Sequence, residues 1–322
     1  MYNNIARKRE SIMKLKKIFV GLLSLLTIIS LGGCVKKDDE EISLITPTGT
    51  PSLVLGKSIT ERGNVKYDVV QGPDALKAAF IKGEKDIIVA PVNLGALMKS
   101  SNESFSYRMV YTIVWCNYYI ASNDSITSFS ELDGKDVVVF GQNSTPDIIF
   151  RSLVSYYDIA PTVSYVSSVA EANGMLLSNK AHTIVTAEPA LSVLLSKGTY
   201  NVLPLKDEWG KMVGNNEIDV PQAAIFVNID AEDKCKSFLD RIKNDIENVK
   251  SNKDTIVRDA KSIDSNLTSQ DSIYIDALER CNYKICDNQK QSIELYFNKV
   301  IELGLGKTVG GKLPDETFYY SK

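Results

Sequence analysis

Short apolar runs alternate with amphipathic stretches along most of the chain. The β-branched runs at 42–45, 67–70 and 86–90 read as strands. Between them, 51–57, 73–82 and 94–99 carry helical spacing, with Ala75, Leu76, Ala79 and Phe80 on one face of the second. Strand–helix units of this size predict a parallel, doubly wound sheet with helices on both faces. The stretch 106–122 breaks the rhythm, because 107–114 and 118–121 are consecutive strands around Cys116-Asn117. A second α/β run follows. It has a helical turn at 129–132, strands at 136–140, 162–166, 183–186 and 200–203, and helices at 146–157, 169–178 and 189–196. An apolar strand at 222–228 closes this run, and helices are expected at 231–250, 253–262, 269–280 and 288–303.

This order predicts two α/β lobes, one from 42–117 and 226–322 and the other from 118–225. The chain would cross between them near 117–122 and again near 222–228. Two sequential domains would need a linker, and no Pro/Gly/Ser-rich stretch interrupts mid-chain. The late helices have no strands of their own to cover, so they must pack on an earlier lobe. No repeat of solenoid period is visible.

The N-terminus does not belong to this pattern. Arg7, Lys8, Arg9, Lys14, Lys16 and Lys17 precede an apolar stretch of 14 residues at 18–31. That is shorter than the ~20 residues a spanning helix needs. Leu31-Gly32-Gly33-Cys34 then places small residues before a cysteine, as at the end of an export signal. The segment resembles a bacterial lipobox. The resemblance implies a signal peptide over 1–33, cleavage before Cys34, and a lipid on the Cys34 sulfur. Met13 opens a second, tidier leader. The charged segment 34–41 reads as a disordered tether.

The leader changes the charge. The whole chain carries 37 Lys+Arg and 40 Asp+Glu, a net −3; without the leader's six bases and one acid it stands at −8. This acidic balance argues against nucleic-acid binding. Five Cys in 322 residues exclude a disulfide-dense scaffold, although Cys281 and Cys286 could pair in an exported chain. The single histidine, His182, excludes His-rich metal sites and lacks the neighbours that nucleophilic catalysis needs. Gly306-Lys307-Thr308 looks like the end of a phosphate loop, but the required spacing falls on Ile301 rather than Gly.

Four loops follow strands and open helices, where α/β sheets bind ligands. The first, Thr46-Pro47-Thr48-Gly49-Thr50-Pro51, offers Thr48, Gly49 and Thr50 at a helix start. Capping alone would need only one of those hydroxyls. The second, Ala90-Pro91-Val92-Asn93, offers Asn93 as a cap or a ligand contact. The third, Gly141-Gln142-Asn143-Ser144-Thr145-Pro146-Asp147, offers Gln142, Asn143, Ser144 and Thr145, with Asp147 complementing the helix dipole. The fourth, Thr186-Ala187-Glu188-Pro189, offers Glu188 as a cap or as the partner of a ligand amine. At the first crossover stand Trp115 and Asn117. For Trp115, ligand stacking and core packing are both open.

Taken in order, these segments resemble the solute-binding proteins of ABC importers, in the nitrate/sulfonate/taurine and thiamine-precursor group. The resemblance runs over roughly 42–230. It rests on Gly49-Thr50-Pro51-Ser52-Leu53, on 75–91 (ALKAAFIKGEKDIIVAP), on 132–153 (LDGKDVVVFGQNSTPDIIFRSL) and on Glu188-Pro189 with 194–198 (LLSKG). It implies a periplasmic-binding-protein type 2 fold: two doubly wound α/β lobes joined by two crossover strands, closing on a ligand like a flytrap. It implies no catalysis and no cofactor. The expected protein is a monomer, held by its lipid on the outer face of the cell membrane. It would deliver a small solute to a permease driven by an ATPase. The four loops contain no Arg or Lys and offer Thr, Asn, Gln, Ser and one Glu. That inventory favours a small polar heterocycle resembling a vitamin precursor, with a sulfonate-, taurine- or nitrate-type anion as the rival. Two other classes share the fold or the location: biosynthetic enzymes of the thiamine and menaquinone pathways, and surface adhesins.

Overall fold

The computed structural model describes residues 40–215, 218–286 and 289–320. The expected leader (1–33), Cys34 and the tether through residue 39 lie outside the described residues.

Among the described residues, ten strands form two sheets of five. The first sheet holds β1 (Ile42–Pro47), β2 (Val65–Val70), β3 (Ile87–Pro91), β4 (Tyr107–Trp115) and β10 (Pro221–Asn228), in the order β2-β1-β3-β10-β4. The second holds β5 (Tyr118–Ser122), β6 (Asp136–Phe140), β7 (Thr162–Val166), β8 (Thr183–Ala187) and β9 (Asn201–Pro204), in the order β7-β6-β8-β5-β9.

Both sheets are mixed, not parallel as the alternating pattern suggests. β1 pairs parallel with β2 and β3, and β6 with β7 and β8. However, β10 runs antiparallel to β3 and β4, and β5 runs antiparallel to β8 and β9. The cause is the crossing. The chain leaves the first sheet at the C-terminal end of β4, passes Cys116-Asn117, and enters the second as β5; it returns as β10. A strand arriving from the other lobe enters at the carboxyl end of its new sheet and must run against its neighbours.

The helices are α1 (Thr50–Arg62), α2 (Asp74–Lys82), α3 (Val92–Ser101), α4 (Thr145–Tyr157), α5 (Val169–Leu177) and α6 (Ala190–Leu195), followed by α7 (Leu205–Val213), α8 (Glu232–Glu247), α9 (Lys253–Ile263), α10 (Asp271–Leu278) and α11 (Gln289–Glu302). Most begin where a strand ends, as the sequence pattern predicts. The pattern misses α7 altogether. It had signals: Asp207 and Glu208 in the first turn and a left-handed Gly214 (φ 69°) at its end. Its Trp209 is fully buried, with its ring 5.6 Å from that of Tyr296 on α11.

Three apolar clusters hold the body together. One packs β1, β3 and β10 under α1, α8 and α9, and includes Leu53, Val89, Ile225, Phe238 and Ile256. There α1 and α9 approach closely: a Cβ at Gly56 would stand 2.3 Å from the backbone N of Ala260. A small cluster on the second sheet gathers Ala121, Ile184, Leu191 and Leu194. The third runs through both lobes, from Phe80 and Phe226 to Phe129, Phe150 and Trp209, with Tyr296 and Phe297 of α11 in it. Helix α11 therefore packs against both lobes, whereas the sequence pattern assigns it to the first alone. Among the described residues no helix is long and apolar enough to cross a membrane.

Candidate functional site

The loops at the carboxyl ends of β1, β3, β6 and β8 meet across the seam between the lobes. At one corner, the hydroxyl of Thr50 in the first turn of α1 donates to the Glu188 carbonyl at 2.5 Å. It accepts from Asn117 Nδ2 at 2.9 Å. The first loop, the first crossover and the fourth loop are thus tied at one atom. Gly49 enters α1 with φ 97°, a conformation that only glycine adopts without strain.

The Glu188 side chain is fully enclosed and both of its oxygens are taken. Oε1 accepts from Arg280 Nε at 2.6 Å, and Oε2 accepts from the Ser192 hydroxyl at 2.7 Å and its amide at 3.1 Å. Arg280, 39% exposed, also donates from Nη2 to the Ser192 hydroxyl at 2.5 Å. Just beyond it, the Tyr283 hydroxyl donates to the Thr50 carbonyl at 2.7 Å. The segment after α10 therefore seals this corner.

Asp264, one residue past α9, anchors the first loop. Its Oδ2 accepts from the hydroxyls of Thr48 (2.7 Å) and Ser52 (2.6 Å) and from the Gly49 amide (3.4 Å). Its Oδ1 accepts from the amide and side chain of Asn266, both at 2.9 Å. Burial raises the carboxyl's pKa, but the hydrogen bonds from Ser52, Thr48 and Asn266 outweigh it and hold the group below the ordinary 3.8.

The opposite corner is neutral. Asn93, in the first turn of α3, accepts from the Thr145 hydroxyl at 3.1 Å and donates to the Thr308 carbonyl at 3.4 Å. Thr145 is the first residue of α4. Its loop is braced by Asp147, whose Oδ2 accepts from the Asn143 amide at 2.7 Å and pairs with Arg151 at 2.8 Å. Ser144 turns its hydroxyl back to the Gly141 carbonyl at 2.5 Å. Gln142 and Asn143 are exposed, and Asn143 Oδ1 accepts from Arg151 Nη2 at 3.3 Å.

Trp115 is buried at the crossover. Its indole N–H donates to the Lys284 carbonyl at 3.1 Å, and Lys284 Nζ lies 5.0 Å from the ring centroid. Asp219, just before β10, draws on both lobes: it takes Asn282 Nδ2 at 2.7 Å, Lys284 Nζ at 2.9 Å and Lys206 Nζ at 3.4 Å. Cys116, Cys235 and Cys281 are free thiols, so 281 is not bridged to 286; Cys281 is fully buried beneath the sealed corner. His182 is exposed.

The structure thus joins Thr48, Gly49, Thr50, Asn117 and Glu188 at one corner and Asn93 and Thr145 at the other. Sequence reasoning misses Asp264, Arg280 and Tyr283. The Asp-Ser-Asn after α9 signals a turn. Nothing local ties it to Thr48, 216 residues away, or Arg280 to Glu188, 92 residues away.

Two five-stranded mixed sheets flanked by helices are joined by two crossings with their loops facing one seam, an α/β fold of two lobes. No protein-family model matches the sequence, and no curated protein sequence matches it significantly. Solved structures do. An ABC transporter protein from Parabacteroides distasonis superposes with a TM-score of 0.74 at 20% identity, covering 88% of this chain and 100% of that one. The periplasmic aliphatic sulfonate-binding protein of Escherichia coli gives 0.63 at 12% identity, covering 88% and 94%. The periplasmic nitrate-binding protein of Synechocystis PCC 6803 gives 0.61 at 12% identity, covering 84% of each chain.

Proposed function

We propose that this protein is the solute-binding component of an ABC importer, lipid-anchored through Cys34 outside the cell membrane, and that its solute carries an oxyanion. It would act as a monomer, close its lobes on the solute and hand it to a permease coupled to an ATPase. It would do no chemistry on the solute.

One observation carries this reading: the helix starts that meet at the seam have no side-chain caps. Neither Gly49 at α1, Pro91 at α3 nor Ser144 at α4 makes a side-chain capping bond. At α3 and α4 the first-turn N–H groups and positive dipole ends suit an anion; at α1 the Asp264 carboxylate already accepts from the Gly49 amide. The solved neighbours described as sulfonate- and nitrate-binding support the same class. The cross-seam bonds Thr50–Glu188 and Thr145–Asn93 would break when the lobes part. A solute held from both sides would then favour closure. We propose Thr48, Gly49, Thr50, Asn93, Asn117, Ser144, Thr145 and Glu188 as the lining, with Gln142 and Asn143 at its rim. Trp115 serves the crossover, because Lys284 occupies one ring face and its carbonyl takes the indole N–H.

The heterocycle remains as a second reading because of Asn117. Its buried Oδ1 has no hydrogen-bond partner and would accept from a ligand N–H. Thermal-shift and calorimetric titration with ethanesulfonate, taurine, nitrate and an aminopyrimidine decide between the two. A solute that binds raises the melting temperature by mass action. Response only to the aminopyrimidine would reject the oxyanion, and response to none would reject both solutes. Separately, Cys34→Ala should release the protein from membranes; unchanged membrane fractionation would reject the anchor.

A further inference from the structure

Helix α11 contributes a polar group that the four loops do not. Tyr296 is fully buried, and its hydroxyl has no hydrogen-bond partner. Thr145, the first residue of α4, lies beside that phenol and opposes the effect of its burial, while donating its own proton to Asn93. Tyr118, the first residue of β5, faces the same threonine. Asn93, Tyr118, Thr145 and Tyr296 are 4%, 5%, 1% and 0% exposed, and they come from four different elements. None of the four bears a charge. Burial keeps both phenols protonated, so each remains a donor.

A buried hydroxyl without a partner carries the full desolvation penalty of a polar group. Phenylalanine would fill the same space without that penalty. The group makes sense if something outside the chain satisfies it. The neighbouring helix starts at α3 and α4, 10 and 13 residues long, are also donor-rich and have no side-chain caps. A site made of donors selects an acceptor.

We propose that Tyr296 is a specificity-determining residue of the solute site, donating its hydroxyl to an acceptor oxygen of the bound oxyanion beside Thr145. This rests on the solute-binding reading above. Parting of Asn93 from Thr145 would open the space, and the solute oxygen would replace their mutual bond. The phenol offers the solute oxygen a donor without adding charge.

The experiment is calorimetric titration of the full chain and of Tyr296→Phe with ethanesulfonate and with nitrate, together with the melting temperature of each protein without ligand. The expected result is affinity reduced roughly tenfold to hundredfold for whichever probe the wild type binds, as for loss of one hydrogen bond to a charged group. The unliganded variant should melt no lower than the wild type, because no protein bond is lost. Equal affinity in the variant would overturn the proposal while leaving solute binding intact. A markedly lower unliganded melting temperature would also overturn it, by showing that the hydroxyl serves the fold. Wild type that binds neither probe would reject the oxyanion reading itself, and this proposal with it.

Discussion

The two corners of the interlobe seam solve the same problem in opposite ways. At the Glu188 corner, charge is buried and then satisfied from within the chain: two Glu188 oxygens meet Arg280 and Ser192, and Asp264 meets five neutral donors. At the Asn93–Thr145 corner the groups that meet across the seam are neutral, the Asp147 carboxylate behind them is paired with Arg151, and the Tyr296 hydroxyl is left over. A buried carboxylate must be partnered whether or not a ligand is present, since an unpaired charge is too costly to keep. A neutral hydroxyl can wait for one. The buried charges of the first corner therefore read as structure, behind the lining that Thr50 and Asn117 offer, and the neutral groups of the second as recognition. Mutations should separate them, by stability at one corner and by affinity at the other.

The largest effect is expected from Glu188→Leu. It strands Ser192 and Arg280 and should lower unfolding free energy by about 3 kcal/mol in urea denaturation. The partial exposure of Arg280, which can turn to water, limits the loss. A variant as stable as wild type would break the structural reading of this corner.

Next is Asp264→Asn, expected to cost about 2 kcal/mol near neutral pH through its lost charge-assisted bonds. Its pH dependence sharpens the test. The folded pKa lies below the ordinary 3.8, so the carboxylate's contribution is complete above the unfolded value. It is lost as pH falls through the folded one. The difference between wild type and Asp264→Asn should therefore shrink on acidification below about pH 4. A difference independent of pH would show that the charge does not matter. Tyr283→Phe removes one bond, to the Thr50 carbonyl, and should cost about 1 kcal/mol. Gln142→Ala, on the exposed third loop, should change stability by no more than about 0.5 kcal/mol. A larger change would place that side chain in a contact the seam does not otherwise use.

The legibility of the molecule follows the same division. The strands at Asp136–Phe140 and Thr162–Val166 and the turn at Phe129–Leu132 were readable to the residue, because apolar alternation and capping residues act within a few positions. Helix α7 was not, because Trp209 and Met212 form its buried face within a polar segment of only nine residues. The strand directions were also hidden. An amphipathic pattern records which face is buried, not which way the neighbour runs. At the site, the loops around Thr50, Asn93, Thr145 and Glu188 were legible because a strand end followed by a helix start is a local signature.

By itself the sequence determined most of the elements, the two-lobe order with its two crossings, and the polar loops that end the strands, since each depends on periodicity or turn chemistry within a short window. Only the tertiary structure decided which of those polar groups are used up and which remain. The hydroxyls of Thr48 and Ser52 were already engaged by Asp264, the one carboxylate of the fourth loop was already neutralised by Arg280, and an unclaimed donor came from Tyr296 on a helix near the chain's end. The physical reason is that a hydrogen-bonding group is defined by its partner. These partners lie far apart along the chain and are brought together only by the packing of apolar faces, which specifies position without naming the polar atoms that will meet.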